Sequence, residues 1–167
     1  MTVWYRAGVL CGLFCGMLFL LGLFSSCRSL RTDPLAACQS PFSATVEGEL
    51  NGIPFAAEIT VTTEGKKIVF SSPALLSGCE LTVMGEAVTL SRNGKEIDVS
   101  EGAMRGLMRP LSVLTEAKGS PERVEKQGDQ YAVTFADDVS FTVSDRGLPR
   151  FVSFPGGSFR VVDFASL

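Results

Sequence analysis

The sequence predicts a mainly β (α+β) fold, in which a curved antiparallel sheet of about ten strands forms a half-barrel. A short broken helix, inserted after the sixth strand, covers this sheet. Three observations support this prediction. From residue 42 onward apolar and polar residues alternate, turn-forming residues separate the alternating segments, and helical spacing occurs in one segment only. A single antiparallel sheet of this size curls, and a helix laid across its hollow side would cover the apolar face.

The first two predicted strands flank Asn51-Gly52. FSATVEGEL precedes this dipeptide and IPFAAEITVTT follows it, and both segments alternate apolar with polar side chains. Asn-Gly between two such segments is the strongest short-range signal for a two-residue hairpin turn. In the second segment Phe55 and Ile59 fall on one face and Glu58 on the other, so one face of the sheet is core and the other is solvated.

Shorter strands make up the rest of the predicted sheet. KKIVFSS ends before Pro73, and CELTVM, EAVTLSR and KEIDV follow, the last two joined by a second hairpin at Asn93-Gly94. After the helix come RVEKQ, QYAVTFA, VSFTVS, RFVSF and SFRVVDF, separated by turns that contain Gly, Asp or Pro. Because strands adjacent in sequence usually pair with each other, we expect one antiparallel meander.

The helical segment begins at Ser100, a residue that caps helices well, and Glu101 follows in the first turn, where a carboxylate suits the helix dipole. A proline inside a helix removes a hydrogen bond and clashes with the preceding turn. Pro110 should therefore divide the helix into two pieces, over residues 101–108 and 110–117, closed by Gly119. The apolar positions at helical spacing are Ala103, Leu107, Leu111 and Leu114.

The N-terminus has the layout of an export signal. Residues 7–26 carry no charge, Arg6 precedes them, and small residues end the apolar run just before Cys27. The segment LFSSC resembles the lipobox of bacterial lipoproteins, in which the cysteine is acylated and becomes the new N-terminus. This resemblance implies a signal peptide over 1–26, lipidation of Cys27, a tether over 27–41 and a folded domain over 42–167. The protein would then be lipid-anchored on the extracytoplasmic face of the cell membrane.

Two other interpretations of this segment stay open. The apolar run is long enough to be retained as a transmembrane helix, and LAAC, which ends at Cys38, also fits the lipobox pattern, although charged residues separate it from the apolar run. All three interpretations export the domain and tether it to a membrane. If Cys27 is lipidated, Cys38 and Cys79 form an even pair, for which an oxidising exterior favours a disulfide. If Cys38 is lipidated, Cys79 is single.

Composition argues against catalysis and nucleic-acid binding. With 15 Lys and Arg, 18 Asp and Glu and a net charge of −3, the chain lacks the basic cluster that a nucleic-acid surface needs. The sequence has no histidine, which removes the usual general base, the common nucleophile pairs and most zinc sites. Asp129, Asp137, Asp138 and Asp145 all fall in turns, where Asp is favoured for its own hydrogen bonds. We predict no catalytic residue, no metal site and no cofactor.

Large apolar side chains dominate the predicted inner faces. The strands contribute Phe42, Phe55, Ile59, Phe70, Leu81, Leu90, Phe135, Phe141 and Phe151, and the helix contributes Met104, Leu107, Met108 and Leu111. Either these side chains pack against one another as a solid core, or some of them line space for an apolar ligand, for which adaptable methionines are suited. For the second interpretation the candidate ligand-binding residues are Phe55, Ile59, Phe70, Leu81, Leu90, Met104, Leu107, Met108, Leu111 and Phe141.

Three phrases connect the chain to a known superfamily. VEGELNG alternates acidic residues before the first hairpin, VFSSPALLSG runs a strand into a Pro-containing loop, and VTLSRNGKEIDV leads into the helix. Together with the order of strands and helix, they resemble the LolA/LolB-like superfamily of lipoprotein carriers and receptors, incomplete β-barrels with a helical lid, over most of residues 42–164. This resemblance implies a lipid or other hydrophobic ligand between sheet and lid.

Two expectations about partners complete the prediction. We expect a monomer that contacts the membrane through its N-terminal lipid anchor. The alternative to ligand binding is a non-catalytic interaction module of the cell envelope, with a solid core, that acts through its outer face or its sheet edge.

Overall fold

The computed structural model describes residues 34–116 and 120–167. The predicted signal peptide with Cys27, and the predicted helix end at Gly119, lie outside the described residues.

Eleven strands and two helices make up the described part of the chain. The strands are β1 (Phe42–Leu50), β2 (Ile53–Val61), β3 (Lys66–Ser72), β4 (Cys79–Met84), β5 (Ala87–Arg92), β6 (Lys95–Val99), β7 (Arg123–Gln127), β8 (Gln130–Thr134), β9 (Ser140–Ser144), β10 (Pro149–Phe154) and β11 (Gly157–Ser166). Helix α1 (Ala36–Gln39) precedes β1, and helix α2 (Glu101–Glu116) lies between β6 and β7. The predicted position of the helix after the sixth strand is confirmed, and each of the eleven strands coincides with one of the predicted segments.

All eleven strands belong to one antiparallel sheet, in the order β6-β5-β4-β3-β2-β1-β11-β10-β9-β8-β7. Each half of the sheet is a meander of sequence neighbours, and the two halves meet where β1 pairs with β11. The expectation of a single meander is therefore wrong, because helix α2 separates β6 from β7 and these strands form opposite edges. The sheet is open, because β6 and β7 are its edges and do not pair with each other. Helix α2 covers one face of this sheet, which we call the inner face, and contacts β3 directly.

The two predicted Asn-Gly hairpins are confirmed by their backbone geometry. Asn51 and Gly52 have φ angles of 51° and 78°, and Asn93 and Gly94 have φ angles of 52° and 73°. Two successive residues with positive φ are the requirement of the tight turn whose twist matches that of the flanking strands. These turns fix the registers of β1 with β2 and of β5 with β6.

Helix α2 runs from Glu101 to Glu116 without interruption, so the predicted division at Pro110 is wrong. Its start is as predicted, because the backbone N–H of Ala103 donates to the Ser100 hydroxyl over 3.3 Å. A proline inside a helix costs about 3 kcal/mol. The turn after Pro110 buries three aliphatic side chains, each of which gives about 1.5–3 kcal/mol, so packing outweighs the cost of the proline. These side chains belong to Leu111, Val113 and Leu114.

The packed domain begins before Phe42, the boundary that the sequence predicts. Leu35 is fully buried and Cys38, in α1, is 7% exposed, and both belong to the same core as the sheet. Helix α1 also contacts α2. Part of the predicted tether over 27–41 is therefore packed against the domain.

Strand β10 has the opposite phase to the one that the sequence predicts. Phe151, expected on the inner face, is 43% exposed, whereas Val152 and Phe154 are buried. The pairing of β10 with β9 is irregular between Pro149 and Phe151. An irregularity of one residue moves every following side chain to the other face, which explains the reversal.

Candidate functional site

Four phenylalanines form a continuous row across the inner face of the sheet. Phe70 lies on β3, Phe55 on β2, Phe159 on β11 and Phe154 on β10. Neighbouring ring centroids are 6.4, 6.3 and 5.9 Å apart, and the contacts are edge-on or tilted. Aromatic rings at these distances stabilise each other beyond the effect of their burial. We call this row the aromatic floor.

The row is continuous because β1, which runs between β2 and β11, carries a glycine at the crossing point. Gly48 is the register partner of Phe55 on one side and of Phe159 on the other. A Cβ atom at Gly48 would stand 2.0 Å from the Ser158 carbonyl oxygen and 2.6 Å from the Phe159 Cβ. With no side chain between them, the two rings meet over the strand.

A cleft of about 240 Å³ lies at the Phe55 and Phe70 end of this floor. The turn between β1 and β2 forms one wall, the loop after β3 forms another, and the first half of α2 covers it. Every lining residue except Asn51 is apolar. The lining residues are Leu50, Asn51, Ile53, Phe55, Phe70, Pro73, Leu76, Ala103, Gly106 and Leu107.

The cleft exists because the two halves of α2 differ in side-chain size. In the first half, Ala103 and Gly106 face the cleft, and a Cβ atom added at Gly106 would meet nothing within 4 Å. In the second half, Leu111 and Leu114 are each 1% exposed and fill the space above the sheet. The small residues therefore leave open volume, whereas the large ones remove it.

Three of the ten predicted ligand-binding residues line this cleft: Phe55, Phe70 and Leu107. The other seven do not, and all of them lie in the packed core or against it. Five of these are buried inside it, and Leu90 and Met104 pack against it with partial exposure. The seven are Ile59, Leu81, Leu90, Met104, Met108, Leu111 and Phe141.

The sequence prediction omits the small and the loop residues of the site. A prediction based on large apolar side chains does not identify Ala103 and Gly106, because these residues leave space open through their small size. Leu76 lies in the loop after β3, outside the strands and the helix to which the prediction is confined. The prediction also omits Phe154 and Phe159 of the aromatic floor. Each lies two residues from a buried side chain on the same strand, and this alternation could have identified both.

Next to the cleft lies a second space of about 300 Å³, which we call the mouth and which has a different chemistry. Leu50, Asn51 and Gly106 line both spaces, and the mouth adds two cations from α2, Arg105 and Arg109. The Arg109 guanidinium lies over the Phe154 ring, 5.8 Å from its centroid. An arginine at this distance from an aromatic face is attracted by the ring quadrupole, so Arg109 is held at the mouth.

Beyond Arg109, toward the C-terminal end of α2, lies a second cleft of about 260 Å³. Its lining includes Ser112, Glu116, Ser120 and Asp137, with Arg109 at the border. Burying hydrocarbon against such polar groups would cost their hydration. This second cleft is therefore a poor site for an apolar ligand.

The predicted disulfide between Cys38 and Cys79 is not formed in the structure. Cys38 lies in α1, which packs on α2, and Cys79 begins β4 in the sheet. Both residues are buried, at 7% and 8% exposure. The two thiols are placed in different layers of the domain, and each contributes to the packing of its own element.

Neither a metal site nor a membrane-spanning helix is found in residues 34–116 and 120–167. No group of three or more metal-ligating side chains occurs there. No helix in these residues is both long enough and apolar enough to cross a membrane.

No protein-family model matches this sequence, and no curated protein sequence matches it. Among solved structures, an uncharacterized conserved protein from Thermus thermophilus is similar, with a TM-score of 0.53 and 12% identity over 78% of this chain and 81% of that chain. At this identity the likeness shows the fold alone. An open antiparallel sheet with a helix after its sixth strand is also the architecture that the superfamily resemblance implies. This chain shares a fold with the Thermus thermophilus protein.

Two further solved structures are more distant. A LolA superfamily protein from Nitrosomonas europaea has a TM-score of 0.30 and 14% identity, over 77% of this chain and 70% of that chain. A Pseudomonas aeruginosa MucA/MucB complex has a TM-score of 0.43 and 16% identity, over 78% of this chain and 53% of that chain. This chain thus spans about half the length of the chain that it matches in the complex.

Proposed function

We propose that this protein is an exported, membrane-anchored lipoprotein that binds a lipid or other hydrophobic ligand in the cleft between the sheet and the first half of α2. The single observation behind this proposal is the apolar cleft of about 240 Å³, kept open by Gly106 above the aromatic floor. The cleft is accessible from solvent, since Asn51 and Ile53 on its rim are exposed. Its ligand would enter there without unfolding the domain.

The volume of the cleft limits how much hydrocarbon it can hold. If one methylene occupies roughly 30 Å³, as a water molecule does in the liquid, the cleft of about 240 Å³ accepts about eight. At about 0.8 kcal/mol each, their transfer from water contributes about 6 kcal/mol before the cost of association. Even before that cost is subtracted, about 6 kcal/mol corresponds to a dissociation constant between millimolar and micromolar, so the tail alone gives weak binding at best.

The exposed apolar side chains on the rim also support a hydrophobic ligand. Ile53 is 57% exposed, and Leu75, next to the lining residue Leu76, is 78% exposed. Apolar groups at the entrance of an apolar cleft reduce the contact of an entering chain with water. A bound chain longer than the cleft would cover these side chains.

The proposed anchor is an acylated Cys27. Cys38, the other candidate, is 7% exposed in the core, where acyl chains on its sulfur would have to displace packed side chains. Its burial favours Cys27 as the lipidated residue. The proposed role is non-catalytic, in keeping with a sequence without histidine.

A cross-linking experiment tests ligand binding in the intact protein. The full-length chain is expressed in a bacterial host fed with a fatty acid that carries a diazirine in its tail, irradiated, purified and digested, and the adducts are mapped by mass spectrometry. We expect adducts on residues that line the cleft. Adducts confined to the outer face of the sheet would refute the proposal.

A glycine pair supplies the matched control. In Gly106→Leu the new side chain occupies space at the cleft, whereas in Gly102→Leu it lies outside the lining, and both glycines have open space around them. Each substitution gains about 0.8 kcal/mol of helix propensity, so neither should unfold α2. Cleft adducts should fall severalfold in Gly106→Leu and stay at the wild-type level in Gly102→Leu. Equal labelling of both variants would count against the cleft as the site.

The second candidate function is that of a tethered interaction module of the cell envelope. It is favoured by two exposed apolar side chains on neighbouring strands of the outer face, Phe151 at 43% and Val162 at 50% exposure. Exposed apolar side chains that cluster on a surface can mark an interaction site. Protein cross-links from Phe151, with a cleft that stays unlabelled, would support this function instead.

A further inference from the structure

We propose that the ligand is an anionic amphiphile, whose hydrocarbon tail occupies the apolar cleft and whose carboxylate or phosphate head is held at the mouth by Arg105 and Arg109. This inference rests on the proposed function and specifies the chemical class of the ligand. It follows from the junction of an apolar space and a cationic one on the same side of α2.

The two spaces adjoin each other, so one molecule could extend from the cleft into the mouth. Leu50, Asn51 and Gly106 border the cleft on one side and the mouth on the other. Because Gly106 has no side chain, nothing on α2 separates the apolar lining from the two arginines at this point. The mouth, at about 300 Å³, has room for a compact head group.

The two arginines are arranged to act together. They are four residues apart on α2, which places them one above the other on one face of the helix. Arg109 is half-buried and fixed over the Phe154 ring, whereas Arg105 is exposed. One guanidinium is thus already ordered for a ligand, and the other is available to close on it.

Neither arginine is neutralised by a carboxylate in the described part of the chain. The ion pairs there join Lys67 to Glu80, Arg123 to Glu125 and Arg160 to Glu47. Two acids, Glu116 and Asp137, line the second cleft with Arg109, but neither approaches it within ion-pair distance. In a chain of net charge −3, two uncompensated cations at one opening favour an anion there.

Guanidinium chemistry matches this head group. The planar fork of N–H donors binds carboxylate or phosphate oxygens in pairs, and such charge-assisted hydrogen bonds are stronger than neutral ones. A head group without an ionised oxygen would offer the arginines only the weaker neutral acceptors. Since the tail alone gives weak binding, the head contact decides which lipids are retained.

Photoreactive lipids in vesicles test this inference. Full-length protein is reconstituted into phosphatidylcholine vesicles that contain a small fraction of one probe, and all probes carry the diazirine in the same tail. A fatty acid and a phosphatidylglycerol are the anionic probes, and a diacylglycerol, which has no ionised group, is the control. We expect about tenfold more cleft adduct with at least one anionic probe, equivalent to about 1.4 kcal/mol. Comparison of the two anionic probes shows whether a free carboxylate or a phospholipid head is preferred.

Arginine variants test whether the preference for anionic probes arises at the mouth. In the double variant Arg105→Gln, Arg109→Gln, all probes should label the cleft equally. The variant Arg160→Gln, on the outer face, should keep the preference for anionic probes. If the double variant retains the preference, or if wild type shows none while its cleft is labelled, the head-group inference is wrong and the proposed function stands. If no probe labels the cleft and Gly106→Leu changes nothing, both fail.

Discussion

Gly48 is the residue on which the aromatic floor depends. It stands between Phe55 and Phe159 in the register of three adjacent strands, and a Cβ atom there would overlap the Ser158 carbonyl oxygen at 2.0 Å. That oxygen belongs to the backbone of β11, so the contact can be relieved only by moving the strand. The requirement for glycine is steric, and it comes from the neighbouring strand rather than from the local backbone conformation.

We predict that Gly48→Ala lowers the free energy of unfolding by about 2–3 kcal/mol, because overpacking at a strand pair forces the backbone apart. Urea denaturation followed by circular dichroism measures this change. The control is Gly102→Ala, where the added Cβ meets nothing within 4 Å, and which should raise stability by about 0.5–1 kcal/mol. Equal stability of Gly48→Ala and wild type would show that β1 and β11 can separate at little cost.

A hydrogen bond to the buried Thr115 connects α2 to β3. The Thr115 hydroxyl donates to the Leu111 carbonyl oxygen over 3.0 Å and accepts a hydrogen bond from the Lys66 ammonium over 3.1 Å. Thr115 is 7% exposed and Lys66 is half-buried. This contact holds the C-terminal half of the helix on the sheet and so supports the cover of the cleft.

Thr115→Val should reduce the free energy of unfolding by about 1–2 kcal/mol, since the half-buried Lys66 ammonium loses an acceptor. The double variant Lys66→Met, Thr115→Val removes both polar partners and should recover part of that loss. Chemical denaturation of the wild type, the two single variants and the double variant gives the coupling energy. A coupling energy of zero would mean that the hydrogen bond contributes nothing to the attachment of α2.

At the scale of elements, the open sheet has two edge strands, each of which pairs with a strand on one side only among the described residues. The edge strands β6 and β7 are short and mostly exposed, and both carry charged side chains. Short, charged edges oppose pairing between copies of a chain. This supports the expectation of a monomer.

Removal of charge from β7 should produce self-association. The double variant Glu125→Val, Lys126→Val turns RVEKQ into a largely uncharged apolar run at an open edge. Light scattering of the full-length protein in detergent should show a mass that rises with concentration, while the wild type keeps the mass of a monomer. A variant that stays monomeric would show that the edge is protected by something other than charge.

At the scale of the whole molecule, the position of the proposed acyl anchor would decide how the domain is held at a membrane. The packed part includes Leu35, so an anchor at Cys27 would leave only a short segment between lipid and domain.

We predict that Cys27→Ala abolishes acylation of the protein. Metabolic labelling with an alkyne fatty acid, followed by intact-mass measurement, should give a labelled wild type and an unlabelled variant. Cys38→Ala is the control and should be labelled as wild type is, since Cys38 is buried in the core. Labelling that persists in Cys27→Ala and disappears in Cys38→Ala would move the anchor to Cys38.

Local sequence patterns were sufficient to specify the strands, the hairpins at Asn51 and Asn93, the cap at Ser100 and the helix after the sixth strand. These features depend on alternation, turn chemistry and capping, which act between residues close in the chain. The same patterns identified Phe55, Phe70 and Leu107, because large apolar residues on an inner face lie in or beside any space that exists there.

The location of that space, and the way in which the helix spans it, follow from three-dimensional packing. Whether Pro110 breaks α2 depends on burial supplied by the sheet, and the outward position of Phe151 depends on an irregularity in pairing with β9. The cleft at Gly106 and the cationic mouth at Arg105 and Arg109 arise from residues distant in sequence and adjacent in space. Local patterns specify elements, whereas open volume is a property of how whole elements fit together, and no single segment encodes it.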